Sequence, residues 1–136
     1  NQVKKIKLYR LYFESFVLNY SVESELLDIV EAILQLDDAM RFAAIIDLEG
    51  NILEAIMKEK KTSLESQKMQ EKFCKDAATA RTMREVYDDS LGRVRYAHTE
   101  RENVTQITVY SRECTIFVTM EPELSIKRKL EIVTKI

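Results

Sequence analysis

Two short runs constrain this chain more than anything else in it: RFAAIID at 41–47 and CTIFVTM at 114–120. Neither alternates between apolar and polar residues. A strand solvated on one face must alternate, so an unbroken apolar run of this length predicts a strand covered on both faces. Two other runs, 52–57 and 93–99, alternate in and out, and 104–110 does the same. A single sheet follows, with the double-faced runs in its middle and the runs at 52–57 and 93–99 at its edges. Helices must lie on both sides to cover the central strands.

The rest of the chain supplies those helices. Ser21 is placed to cap a helix in which Val22, Leu26, Ile29, Val30, Ile33 and Leu34 recur at helical spacing, ending at Asp37 and Asp38. Leu48-Glu49-Gly50-Asn51 reads as the turn of a hairpin, with Gly50 free to take positive φ. Thr62-Ser63-Leu64-Glu65 matches a capping box. Behind it Met69, Phe73, Ala77, Ala80, Met83 and Tyr87 form one long stripe, and Gly92 follows as a C-terminal stop. Ser125 is expected to cap a last helix carrying Ile126, Leu130 and Val133. Pro122 ends the strand before it. A further helix is predicted over 3–19, apolar on more than one side, with Tyr9, Tyr12, Phe13 and Phe16 among its aromatics.

The predicted class is therefore α/β, of the α+β type. The architecture is an α/β/α sandwich with one five-stranded, mostly antiparallel sheet in the order 2-1-5-4-3. Residues 1–20 form a helical extension and residues 21–136 the domain itself. With 136 residues and a 46% hydrophobic share, the core is adequate without a disulfide or metal. No internal repeat or low-complexity tract is present.

That order is similar to the roadblock / dynein light chain family, within the wider longin-like fold. The resemblance rests on the hairpin FAAIIDLEGNIL, an apolar strand running through an acidic turn with glycine. It rests equally on LGRVRYAHTERENVTQITVYSRECTIFVTMEPE, which looks like the family's three-stranded meander. It covers the chain from residue 21, which also resembles uncharacterised archaeal proteins of this type. The resemblance implies a non-catalytic homodimer pairing through the long middle helix and the strand after it. Carried over, the interface residues are Phe73, Ala77, Ala80, Tyr87, Val94, Tyr96 and His98. It also implies a scaffold or regulatory role, with a small GTPase as a partner class. The helix at 3–19 departs from the family pattern; its apolar and aromatic residues best suit packing within a dimer, with a membrane surface or a partner groove as the alternatives.

Enzymatic chemistry finds no foothold. His98 is the only histidine, and no nucleophile on a sharp turn accompanies it. Cys74 and Cys114 stand forty residues apart and read as small hydrophobes in a reducing, cytoplasmic interior. With one histidine they make at most three zinc ligands. Asp37-Asp38 and Asp88-Asp89 fall at predicted helix ends, where solvated carboxylates are ordinary. No P-loop, dinucleotide fingerprint or calcium loop occurs. No catalytic residue, metal or organic cofactor is assigned. A net charge of −2 argues against nucleic acid, and no run is long enough to insert stably in a membrane. A second function class stays open: a small-molecule sensor of the PAS-like or profilin-like kind. It needs a lined cavity of several hundred Å³.

Overall fold

The computed structural model describes residues 20–136. The helix expected over 3–19 lies outside them. Within them the order is α1 (Tyr20–Leu34), β1 (Met40–Ile46), β2 (Ile52–Met57), α2 (Gln67–Glu85), α3 (Asp88–Leu91), β3 (Tyr96–Glu100), β4 (Thr105–Tyr110), β5 (Thr115–Met120) and α4 (Ile126–Lys135). All neighbouring strands pair antiparallel, in the expected order β2-β1-β5-β4-β3. The two apolar runs became β1 and β5, adjacent at the centre. Every residue of β5 is buried, and every residue of β1 except Arg41.

The two faces of the sheet carry different cores. On one, α1 contributes Leu26, Ile29, Val30 and Ile33, and α4 contributes Ile132 and Val133. They pack on Ala43, Ile45, Ile107, Ile116 and Val118. On the other lies a smaller aromatic cluster of Phe42, Ala44 and Phe117, with Phe73 of α2 against it. The Phe73 and Phe117 rings are 4.4 Å apart, and Phe42 and Phe117 5.8 Å, contact distances for aromatic pairs.

Three local expectations are corrected. Ser21 does not cap α1, because Tyr20 is already helical. The box at 62–65 is not the start of α2 either. Ser66 is the cap, in extended conformation, accepting a hydrogen bond from the Met69 amide; Ser63 instead closes a local turn with Glu65. The long helix ends at Glu85 rather than near Tyr87, and Gly92 closes the separate short helix α3. By contrast Ser125 caps α4 as expected, accepting from the Arg128 amide.

Gly50 ties the β1–β2 hairpin to α2. Its φ is +87°, and a Cβ there would lie 2.7 Å from the Cys74 carbonyl oxygen and 2.8 Å from the Lys75 Cα. Only glycine lets the turn approach the helix backbone so closely.

Candidate interaction surface

The buried residues of α2 are Cys74, Ala78 and Arg81. The predicted stripe through Phe73, Ala77 and Ala80 is displaced from them by one position, about 100° around the helix. These three are half-buried, and they form the flank of α2. Met69, Phe73 and Asp76 face a groove whose far wall is the β3–β4 turn, so this flank looks along the sheet toward β3.

The groove has a volume of about 580 Å³. Phe42, Phe117 and Thr119 make its floor, and Arg101 and Asn103 line the rim opposite α2. Gln106 accepts a 2.6 Å hydrogen bond from Arg101 Nε. Arg41, at the base, bonds Glu121 at 2.7 Å and the Thr62 carbonyl at 2.6 Å. Lys61 reaches the same Glu121 oxygen at 3.0 Å. The two cations hold the Glu121 carboxyl below the usual range, the Lys61 hydrogen bond most strongly.

At its C-terminal end α2 is fixed by a buried cation. Arg81 donates to the Cys114 carbonyl at 2.8 Å, to Thr115 Oγ1 at 3.0 Å and to the Ser111 carbonyl. Its guanidinium lies 4.8 Å from the centre of the Tyr110 ring, and Arg84 donates to the Tyr110 hydroxyl at 2.6 Å. Beyond this clamp the apolar side chains turn outward. Met83, Val86, Tyr87 and Leu91 are all exposed, Val86 at 76% and Leu91 at 79%. Four large apolar residues this close in sequence at a helix end form a patch that a solitary protein rarely leaves in water.

Strand β3 is the edge. The Tyr110 amide donates to the Arg95 carbonyl and the Arg101 amide to the Val104 carbonyl. By antiparallel alternation Arg95, Ala97, Thr99 and Arg101 therefore bond inward to β4, while the backbone of Tyr96, His98 and Glu100 points out from the sheet. Side chains obey a different alternation. Tyr96, His98 and Glu100 pair with Val109, Ile107 and Thr105, so they lie on the α1/α4 face. Glu100 confirms this by bonding Lys129 of α4 at 2.8 Å.

The seven predicted interface residues thus divide. Phe73, Ala77 and Ala80 lie on the α2 side; Tyr87 is exposed just past the end of α2. Tyr96 and His98 lie on the opposite face, and Val94 is half-buried just ahead of β3. They wrap around one edge instead of forming one flat patch. Sequence reasoning missed Val86, Leu91, Arg81 and the groove residues Arg41 and Arg101. An apolar pair flanking Tyr87 was visible; nothing in the sequence marks Arg81 as buried.

His98 Nε2 is 3.0 Å from Glu100 Oε1. Glu100 also accepts from Lys129 Nζ and, at 2.6 Å, from Thr105. The Lys129 hydrogen bond leads in pulling its carboxyl down to about 2, with Thr105 and His98 contributing. This is an anchored ion pair at the sheet edge. Cys74 and Cys114 are both buried, and burial raises each thiol to about 11. Among the described residues no group of three histidine, cysteine or carboxylate side chains is placed to hold a metal, and no helix is long and apolar enough to cross a membrane.

Comparison with known proteins agrees with this architecture. The fold is similar to MglB in a tetrameric arrangement, with 10% identity, a TM-score of 0.69 and 82% of each chain covered. It is similar to the gliding protein MglB of Thermus thermophilus, at 12% identity, TM-score 0.67 and 81% of each chain. A Roadblock/LC7 domain from Streptomyces avermitilis matches at 10% identity and TM-score 0.54, over 78% of this chain and 89% of that one. The fold is roadblock/longin-like. No curated protein matches in sequence. A family profile matches residues 25–136, and the chain belongs to that family, the family of unknown function DUF6659.

Proposed function

We propose that this protein is a non-catalytic homodimeric scaffold or regulatory module that binds another protein, with a small GTPase as the partner class. The observation that carries the dimer is the β3 edge. Tyr96, His98 and Glu100 present outward backbone groups with no neighbouring strand among the described residues, and an open edge is a template for pairing. A two-fold axis through that edge joins the sheets of two copies with one self-complementary surface. The flank of α2 and the apolar patch beyond it lie beside the same edge. Regulation of a partner GTPase is what the roadblock resemblance implies, and the roadblock-like fold supports that reading.

Light scattering at micromolar concentration tests the dimer, with Tyr96→Pro as the decisive variant. Proline at Tyr96 removes an outward N–H and leaves the bonds to β4 intact. The expected result is a dimer that Tyr96→Pro converts to a folded monomer. A monomeric parent overturns the reading. Titration of small GTPases from the source cell, loaded with GTP or GDP, tests the partner class; equal non-binding in both states rejects it.

The groove favours a second reading, a small-molecule sensor, since 580 Å³ is within the range of ligand sites. Heat-stabilisation screening with small metabolites separates the two.

A further inference from the structure

We propose that the groove between α2 and the β3–β4 turn binds a small organic carboxylate with an apolar body, whose charged end is received by Arg101, Gln106 and Thr119. The proposal rests on the second reading above, that the groove takes a small molecule, and names the chemical class of that molecule.

The sheet builds a floor that is apolar at one side and polar at the other. Met57, Phe42, Thr119 and Gln106 stand in a row on β2, β1, β5 and β4, each opposite the next, so all four share the α2 face. Phe117 lies two residues along β5 on that face, with the Phe73 ring of α2 4.4 Å from it. Three rings and a thioether offer hydrocarbon contact and no charge. At the other side of the row Arg101 Nε donates to Gln106 at 2.6 Å. A ligand lying across the row meets both kinds of surface. The volume of about 580 Å³ leaves room for an aryl or medium-chain alkyl body.

The polar side carries donors that the fold does not use. Buried polar side chains are ordinarily bonded. Among the described residues Arg81, Thr105, Thr115, Thr119 and Lys129 are buried, and all but Thr119 hydrogen-bond within the chain. Thr119 is only 9% exposed and lines the groove, and its hydroxyl has no partner among the described residues. Gln106 is half committed: its Oε1 accepts from Arg101, while its Nε2 donates to no described residue. Arg101 makes no ion pair among the described residues. Donation from Nε leaves both Nη groups, which can grip a carboxylate side-on. Three donors standing together call for an acceptor, and the guanidinium favours one that is negative. The remaining charges of the lining do not oppose this. Arg41 and Lys61 share Glu121, which leaves a positive excess at the base. Lys72 is paired with Asp76. Glu65 and Glu102 are exposed at the mouth, where water and salt screen them. Arg101 is exposed too, but Gln106 ties it to the floor.

Calorimetric titration and heat stabilisation of the full chain test it. The probes are octanoate, phenylbutyrate and naphthylacetate, their three amides, octylamine and inorganic phosphate. The amides keep the apolar body without the charge, and phosphate keeps the charge without the body. The carboxylates are expected to bind at least about tenfold more tightly than their amides, the worth of a charge-assisted hydrogen bond, with octylamine and phosphate weaker still. Arg101→Gln should erase the preference for carboxylate over amide. Thr119→Val keeps the shape of the side chain and deletes an unbonded hydroxyl. It should weaken carboxylate binding while leaving the melting temperature of the free protein unchanged or raised. Amides, octylamine or phosphate binding as tightly as the acids, or carboxylate affinity unchanged in both variants, overturns the proposal and leaves the small-molecule reading standing. A chain that binds none of these probes overturns the proposal as well. A metabolite screen equally without effect then overturns the small-molecule reading with it.

Discussion

Gly50→Ala and Gly92→Ala are the same substitution at nearly the same φ, +87° and +83°, and should differ sharply in cost. At Gly92 a Cβ meets nothing within 4 Å. Its penalty is conformational: a φ of 83° with ψ of 166° is essentially glycine-only backbone, which costs about 1–3 kcal/mol. At Gly50 a comparable conformational cost is joined by contact. The new methyl lies 2.7 and 2.8 Å from backbone atoms of Cys74 and Lys75, and 3.1 Å from the Ala78 Cβ. Helix backbone cannot rotate aside as a side chain can, so α2 or the hairpin must shift. Overpacking of this kind adds about 1–3 kcal/mol. Urea unfolding followed by circular dichroism reads the difference. With a slope of about 1–3 kcal/mol per molar, the Gly50→Ala midpoint should fall below that of Gly92→Ala by roughly 1 M. Cys74 should also become more reactive toward a thiol reagent, because α2 is lifted at that residue. Equal midpoints for the two variants would refute the claim that the hairpin seats the helix.

The remaining tests address the core, an ion pair and acid stability. Phe117→Ala removes the central ring of the α2-side cluster and should cost about 3–5 kcal/mol; a loss within ~0.5 kcal/mol in chemical denaturation, typical of a surface change, would remove β5 from the centre. Lys129 is 2% exposed and bonds Glu100 and the Pro122 carbonyl. Glu100→Ala should therefore cost about 1–3 kcal/mol by leaving a buried ammonium short of a partner, less than a fully buried pair because water reaches Glu100. Lys129→Met should be close to neutral, and a larger loss for Lys129→Met than for Glu100→Ala would contradict this. The carboxyl of Glu100 is held down to about 2, and those of Asp37 and Glu121 are lowered too. A depressed carboxylate stabilises above its unfolded value and loses that contribution as pH falls through the folded one. Stability should thus decline from about pH 4.5 toward 2, and a Glu100→Gln chain should show a shallower decline.

What the sequence made legible was set by alternation, and so were the limits. The runs at 41–47 and 114–120 displayed central burial directly, because a both-faced strand needs no partner to be identified. The edge strands were legible as edges for the complementary reason. Alternation fixes which residues share a face but not which face it is. Tyr96 and His98 share a face, yet its assignment to the α1/α4 side depends on Tyr96 opposing Val109 and His98 opposing Ile107. That register is set by the β3–β4 turn, whose residues 101–104 carry no strong turn signature. The start of α2 was missed by a few residues because Thr62 and Ser66 are both competent caps, and tertiary contacts chose between them. Arg41, in bonding the Thr62 carbonyl, holds the loop before Ser66 against the sheet.

The long helix is inverted relative to the rule used to find its buried face, and the inversion bears on function. Its inward positions near the C-terminal end include a guanidinium, while Met83, Val86 and Tyr87 are left outside. An arginine is buried only where acceptors are arranged for it, and here two carbonyls and the Thr115 hydroxyl surround Arg81, with Tyr110 against its face. These bonds fix the end of α2 to the β4–β5 turn without any apolar side chain. The apolar residues beyond the clamp are therefore not needed to hold the helix down. Had they been surplus core, they would have turned toward the sheet; Arg81 occupies that position. A rigid anchor carrying an apolar patch beside an open strand edge is the arrangement a preorganised contact surface needs, because little side-chain or backbone freedom remains to be lost on association. Arg81→Leu should accordingly leave much of the domain folded while loosening the Ser111–Cys114 turn, and should weaken the proposed dimer if the patch beyond the clamp belongs to its interface. Proton exchange at the Ser111 to Cys114 amides, measured beside dimer affinity, distinguishes this from general unfolding. Affinity unchanged in Arg81→Leu would show that the patch needs no anchor.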